Sequence, residues 1–117
     1  HVIVGDHAIL GGFSGIHQFV HIGAHAFIGI RSSITQDILP FVLFADAGPR
    51  TVNVEGLKRR GFEKSEISLI RRAYKTIYRQ ELKIEDALNV LAEDAEKSPS
   101  IQLMIDFIKS SERGIAR

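Results

Sequence analysis

The chain has 117 residues, of which 44% are hydrophobic and 25% charged, as expected for one globular domain with a buried core. It contains no cysteine, which excludes disulfides, thiolate metal sites and cysteine nucleophiles. No segment approaches the roughly 20 apolar residues of a membrane span, and no signal peptide is visible, so we expect a cytoplasmic protein. The net charge of +1 hides a basic segment, residues 58–82, with eight basic and three acidic side chains. That segment is too short and too poor in neighbouring aromatics to predict nucleic-acid binding.

A six-residue repeat organises residues 1–39. An aliphatic residue recurs at every sixth position, and glycine follows it at four of the six places. This period matches neither an α-helix nor an ordinary strand. It is typical of a hexapeptide β-helix, a solenoid of short stacked strands. The aliphatic positions are Val4, Leu10, Ile16, Ile22, Ile28 and Ile34.

The repeat predicts the stacking inside this solenoid. With three hexapeptides in each coil, residues 18 apart lie above one another, so Val4 stacks on Ile22 and Leu10 on Ile28. We expect every aliphatic of the series to be buried by its neighbours above and below. The glycines suit corners where a Cβ would clash or where φ must be positive. Since about two coils are too few for a stable solenoid, we expect the chain to be the C-terminal part of a longer one.

The repeat gives way to a connector and then to helices. Residues 40–52 contain Pro40, Gly48 and Pro49 and are predicted to form an ordered connector. Residues 53–117 form a predicted helical subdomain. It comprises a short helix over 54–61 that ends at Gly61 and amphipathic helices over 64–80 and 84–96. A last helix begins with Ser98 as N-cap and Pro99 at its first position and ends near Gly114.

All five histidines lie within the first 25 residues. His7 and His25 are 18 apart and are therefore predicted to stack on one face. An exposed histidine on a rigid strand can serve as a general base or a substrate ligand. For His7, His21 and His25 the favoured interpretation is a solvated face. A metal centre like that of hexapeptide carbonic anhydrases is disfavoured, because no histidine and carboxylate set has ligand spacing, and we predict neither metal nor cofactor.

Two basic clusters lie on the predicted helices. Lys58, Arg59 and Arg60 suit a diphosphate, because a guanidinium group binds two oxygens at once. A second stripe, spaced by four residues on the next helix, suits an acidic carrier protein. A solvated helix surface is the alternative interpretation of both clusters. The second stripe consists of Arg71, Lys75 and Arg79.

Four blocks carry a specific resemblance: HVIVGDHAILGGFSGIHQFVHIGAHAFIG, QDILPF, NVEGLKRRGF and RRAYKTIYR. Together they resemble the UDP-N-acetylglucosamine acyltransferases, and NVEGLKRRGF is the discriminating block. The resemblance implies transfer of a 3-hydroxyacyl group from acyl carrier protein to the 3-hydroxyl of UDP-N-acetylglucosamine, the first step of lipid A biosynthesis. It also implies a homotrimer of left-handed β-helices with active sites between subunits.

The resemblance assigns roles by motif. His1, His17 and Gln18 would contact substrate in the cleft between subunits. Asn53 and Glu55 would hold the nucleotide end, and the stripe on the next helix, Arg71, Lys75 and Arg79, would receive the carrier protein. The two arginines of NVEGLKRRGF, Arg59 and Arg60, would lie near the phosphates.

Three departures from the family pattern lead to further expectations. None of the five histidines matches the motif of the family's general base, so we expect that base upstream of His1 and expect the 117-residue chain alone to be inactive. Residues 45–52 are shorter than the usual connector. Ile30 occupies the position of the residue that limits the acyl groove, and its bulk predicts a preference for shorter hydroxyacyl chains.

Two other functions remain open. The N-acyltransferase acting later in the same pathway is also a hexapeptide trimer with a helical tail, but NVEGLKRRGF would have no counterpart there. A non-catalytic solenoid module, used only for trimerisation or carrier binding, is the alternative from a different class.

Overall fold

The first six strands build a triangular solenoid. The computed structural model describes residues 1–117. Each strand has two residues and pairs in parallel with the strand 18 residues later, as in Val4 opposite Ile22, which confirms the predicted stacking. The solenoid is a left-handed parallel β-helix. Its strands are β1 (Ile3–Val4), β2 (Ile9–Leu10), β3 (Gly15–Ile16), β4 (His21–Ile22), β5 (Phe27–Ile28) and β6 (Ser33–Ile34).

Burial differs between the two coils. Ile22 and Ile28 are fully buried, and Ile34 is 2% exposed. Val4 and Leu10 remain 44% and 42% exposed, because residues of this chain cover these strands on one side only. The prediction that every aliphatic of the series is buried is therefore wrong for Val4 and Leu10.

The corners of the solenoid do not use glycine in the predicted way. The residues with positive φ lie two positions after the glycine slot of the repeat, which His17 fills in one coil, at φ between 55° and 68°. The glycines are needed instead for close approach between coils: a Cβ on Gly5 would lie 2.5 Å from Ala24 N, and one on Gly23 would lie 2.6 Å from Pro40 Cδ. The clash was predicted correctly, and the positive φ was assigned to the wrong residues. Those corner residues are His7, Phe13, Phe19, His25 and Arg31.

The predicted connector contains a β-hairpin. Strands β7 (Val42–Ala45) and β8 (Gly48–Val52) pair antiparallel around Asp46 and Ala47, both with positive φ. Strand β7 also pairs in parallel with β5, so one face of the solenoid becomes a four-stranded sheet in the order β2-β5-β7-β8. The solenoid sheet thus extends past residue 39, where the repeat pattern stops.

Four helices follow: α1 (Val54–Arg59), α2 (Lys64–Tyr78), α3 (Ile84–Ala95) and α4 (Pro99–Ser110). They confirm the four predicted helices, the first three within about two residues at their ends, whereas α4 ends at Ser110 and not near Gly114 as predicted. Gly61, just beyond α1, has φ +83°, which a side chain would disfavour. The Ser98 hydroxyl accepts a hydrogen bond from the Ser100 backbone N–H and caps α4 as predicted.

A single core joins solenoid and helices. The buried hydrophobic residues, among them Ile22, Leu57 and Met104, form one continuous cluster. Asp37 fastens the C-terminal tail to the solenoid, since its carboxylate accepts hydrogen bonds from the His21 backbone N–H at 2.8 Å and from the Ser111 hydroxyl at 2.6 Å. None of the four helices has the length and apolar character needed to cross a bilayer.

Candidate functional site

A cavity of about 530 Å³ lies where α1 meets the solenoid. Its size is within the range of small-molecule sites. Outward-facing apolar side chains of β2, β5 and β7 form one wall, namely Ile9, Phe27 and Leu43. Helix α1 and its C-cap contribute the charged groups of the other wall, namely Glu55, Arg59 and Arg60. With Asn53, which also lines the cavity, the structure therefore brings together all four site residues predicted from the NVEGLKRRGF block.

The two arginines of this cavity are free to bind an anion. Burial of Leu57 against the core turns Glu55, Arg59 and Arg60 outward, and all three are exposed. The ion pairs of the structure involve other residues, so neither guanidinium group is paired with a carboxylate. Such groups bind phosphate oxygens in a bidentate manner.

Asn53 connects α1 to a corner of the solenoid. Its side chain is buried, its Nδ2 donates to the His25 carbonyl oxygen at 3.0 Å, and its Oδ1 accepts from the Gly56 N–H at 3.3 Å. This amide positions the helix that carries both arginines. A nucleotide contact at Asn53 stays a prediction. The second hydrogen of Nδ2 and the second lone pair of Oδ1 remain available for such a contact.

Two histidines line the same cavity. The rings of His7 and His25 lie 5.0 Å apart, which confirms their predicted stacking. His25 also packs against Phe41 and Phe62, with ring centroids 5.8 and 5.0 Å away. Burial lowers the pKa of His25, positive charge on His7 and Arg60 adds to the effect, and Asp6 opposes it.

The solvated-face interpretation is therefore wrong for His25, which lies among aromatic rings. It is also wrong for His21, whose ring packs 4.7 Å from that of Phe107. Sequence reasoning did not place His7 or His25 in the site. The available signal was their spacing of 18 residues, but the neighbouring helix and Phe62 that make this corner a cavity wall lie far away in sequence.

Other predicted site residues lie elsewhere on the solenoid. The His1 ring stacks on Phe19 at 5.1 Å, and Nδ1 of His17 is 3.1 Å from the Gln18 carbonyl oxygen. Ile30 is 71% exposed. The structure of one chain does not bring His1, His17, Gln18 or Ile30 into the α1 cavity, and their roles stay predictions. No group of three histidine or carboxylate side chains lies close enough together to hold a metal ion.

A second cavity, of about 430 Å³, contains the predicted basic stripe. Arg71, Lys75 and Arg79 lie on one side of α2 and line it together with Tyr74. Arg79 lies over the Tyr74 ring at 5.9 Å, and burial raises the pKa of the Tyr74 hydroxyl. The neighbouring Arg72 is not part of this group, because it forms a bidentate pair with Asp94 in the next helix.

The family model described as UDP N-acetylglucosamine O-acyltransferase, domain 2, matches residues 37–116. The chain belongs to this family. It is 47% identical over 123 aligned positions to the acyl-[acyl-carrier-protein]--UDP-N-acetylglucosamine O-acyltransferase of Burkholderia mallei, and 49% identical over 119 positions to that of Pseudomonas putida. Both alignments include the whole chain but only 47% and 46% of the relatives, so the chain spans about half of their length.

Solved structures of the family share the fold. The chain superposes with a TM-score of 0.94 on UDP-N-acetylglucosamine acyltransferase of Francisella novicida, with 37% identity, 98% of this chain and 43% of that one covered. It gives the same score on LpxA of Acinetobacter baumannii, with 40% identity, 100% of this chain and 46% of that one covered. Both matches include the solenoid and the helices, so the resemblance stated from sequence is confirmed.

Proposed function

We propose that this chain is the C-terminal part of an acyltransferase that moves a 3-hydroxyacyl group from acyl carrier protein to the 3-hydroxyl of UDP-N-acetylglucosamine. This would be the first step of lipid A biosynthesis, carried out in the cytoplasm. The observation that carries the proposal is the α1 cavity, in which Glu55, Arg59 and Arg60 meet an apolar wall. The relatives named for this reaction, at 47% and 49% identity, support it.

Within this cavity the nucleotide end of the substrate has matching groups. Arg59 and Arg60 are proposed to bind the diphosphate, whose oxygens accept bidentate hydrogen bonds. Glu55 and Asn53 are proposed to hold the nucleoside, since a carboxylate and an amide match the donors and acceptors of a base and a ribose. His1, His17 and Gln18 would contact the sugar and acyl group in a cleft between subunits of a homotrimer.

The proposed chemistry is a simple acyl transfer. The sugar 3-hydroxyl oxygen attacks the thioester carbonyl carbon, a general base takes the hydroxyl proton, and the carbon–sulfur bond breaks to release the carrier thiol. The contribution of this chain is binding and orientation. Bringing the two substrates together in reacting geometry supplies a large part of such rate enhancements.

The carrier protein is proposed to dock on α2. Arg71, Lys75 and Arg79 face one cavity, and none of them is paired with a carboxylate of the chain. An acidic protein surface would be attracted to this stripe, and the attraction would weaken as salt is added. Reversal of this charge, in Lys75→Glu, is expected to raise KM for the acyl carrier protein substrate and leave KM for the sugar nucleotide unchanged.

The deciding experiment is an acyl-transfer assay on the full-length protein that contains this chain. UDP-N-acetylglucosamine would be offered with a panel of 3-hydroxyacyl carrier proteins. We expect transfer by the unsubstituted protein and a KM for the sugar nucleotide raised at least tenfold in Arg60→Ala, since a charged hydrogen bond contributes about 1.5–3 kcal/mol. Lys64→Ala, which removes an exposed charge outside both cavities, is the matched control. No transfer with any donor would contradict the proposal.

The acyl-chain preference tests Ile30 in the same assay. The side chain is 71% exposed on the solenoid surface, where it could fill the end of an acyl groove. Ile30→Gly is expected to shift the preferred donor toward longer hydroxyacyl chains. An unchanged chain-length profile would show that Ile30 does not limit the groove.

A further inference from the structure

We propose that His7 is an additional ligand of the nucleotide diphosphate, alongside Arg59 and Arg60. This inference rests on the proposed function, because it assigns a new residue to the same substrate. Four observations carry it: the position of His7 in the cavity, the rigidity of its support, the free state of its ring nitrogens and the charge of the opposite wall.

His7 lies at the cavity wall opposite the helix that carries the arginines. It is exposed, it shares the α1 cavity with Arg59 and Arg60, and it belongs to the solenoid rather than to the helix. A diphosphate held by α1 would therefore face an imidazole from the other side. Contacts from two separate elements fix both position and orientation, which contacts from one helix do not achieve.

The His7 ring has a rigid base. Its backbone is held at φ 60° in a corner, and the His25 N–H donates to the Asp6 carbonyl oxygen at 2.9 Å, tying this corner to the next coil. The ring packs against that of His25 with the two planes inclined by 35°, and His25 is itself packed against Phe41 and Phe62. A ring supported in this way loses little freedom when it binds a ligand.

The ring nitrogens of His7 make no hydrogen bond within the chain, in contrast to Nδ1 of His17. An imidazole always has at least one N–H donor, and its cation has two. Across the cavity are two arginines and one carboxylate, Glu55, so the cavity already favours an anion. A third donor group matches the several charged oxygens of a diphosphate, to which hydrogen bonds are stronger than to the neutral oxygens of a nucleoside.

The repeat supplies a well-matched test variant. Phe13, Phe19 and Phe41 occupy positive-φ positions at φ 58°, 68° and 72°, so phenylalanine is accommodated in this backbone conformation. His7→Phe keeps an aromatic ring above His25 and removes both nitrogens. His7→Gln keeps an N–H donor and removes the ring.

The experiment measures Kd for UDP and for uridine by calorimetry on the full-length protein. For His7→Phe we expect UDP to bind at least about tenfold more weakly, the effect of one lost hydrogen bond to a charged group, and uridine to bind unchanged. His7→Gln should recover part of the UDP affinity. Thermal unfolding of each variant checks that the solenoid remains folded.

Two results would overturn the inference. Unchanged UDP affinity in His7→Phe would show that the diphosphate does not contact His7, while leaving the proposed function intact. Equal losses for UDP and uridine would show that His7 only shapes the cavity. If the unsubstituted protein binds neither compound, the proposed function and this inference fail together.

Discussion

The solenoid and the helical subdomain place functional groups by different physical means. In the solenoid, backbone hydrogen bonds join one coil to the next, as from the Gly5 N–H to the Ile22 carbonyl oxygen at 2.8 Å and from the Gly11 N–H to the Ile28 carbonyl oxygen at 2.7 Å. In the helices the backbone bonds are local, and buried side chains such as Ile70 and Met104 hold the elements together. In the solenoid, the location of a side chain therefore follows from its position in the repeat. In the helical subdomain it follows from the packing of buried side chains.

The candidate site lies at the junction of these two regions. The solenoid supplies an apolar wall and a pair of histidines in contact, and α1 with its C-cap supplies a carboxylate and two arginines. Asn53 joins them, because its side chain bonds both to the solenoid corner and to the first turn of α1. The proposed diphosphate site thus combines the rigidity of one region with the long charged side chains of the other.

The largest expected effect comes from emptying the solenoid interior. Ile28 is fully buried between coils, and Ile28→Ala should reduce the free energy of unfolding by about 2–5 kcal/mol, since the rigid coils close a cavity poorly. Urea unfolding of the purified protein measures it. Ile30→Ala, at a side chain that is 71% exposed, is the control and should change stability by less than about 0.5 kcal/mol. Similar losses in the two variants would contradict the assignment of Ile28 to the interior.

The next effect comes from separating two coils. A Cβ on Gly23 would meet the backbone and ring of Pro40, so Gly23→Ala should cost about 1–3 kcal/mol in the same unfolding measurement. Gly15 has no atom within 4 Å of an added Cβ. Gly15→Ala should therefore be neutral or gain up to about 1 kcal/mol. A loss at Gly15 as large as that at Gly23 would contradict close coil approach as the reason for these glycines.

A smaller loss of stability is expected in the helical subdomain, where the N-cap of α4 contributes to the free energy of unfolding. Ser98→Ala removes the side-chain acceptor for the Ser100 N–H and should cost about 1 kcal/mol. Ser65→Ala, on the exposed first turn of α2, should leave thermal stability unchanged. Equal effects of the two substitutions would show that the cap of α4 is not a stabilising contact.

The smallest effect is a pH dependence at the solenoid corner. Because the folded protein lowers the pKa of His25 below its ordinary value of 6.5, the unfolded chain binds more protons than the folded one in acid. The contribution of His25 to the free energy of unfolding is therefore fully present above about pH 6.5. It is lost as the pH falls toward the lower pKa of the folded state. The Tm of the His25→Phe variant should therefore fall less between about pH 7.5 and 5.5 than the Tm of the unsubstituted protein. A larger or equal loss would contradict the burial of His25.

The sequence by itself determined the coil register, the four helices and the family. The hexapeptide period fixes which residues stack, because every coil has the same length, and Val4 opposite Ile22 follows directly. Helix ends followed from local signals such as Ser98, Pro99 and Gly61. The NVEGLKRRGF block supplied four predicted site residues of the α1 cavity, since one short helix and its two caps carry all of them.

Only the tertiary structure decided where these parts meet. The sequence predicts only a connector over the hairpin of residues 42–52, because Gly48 and Pro49 obscure the alternation of a strand and the pairing partner, β5, lies earlier in the chain. The surroundings of His25 include Phe62 and Arg60, which reach this corner because α1 packs against the solenoid. A repeat specifies contacts at a constant sequence separation, whereas a binding cavity is formed by residues whose separation no local pattern encodes.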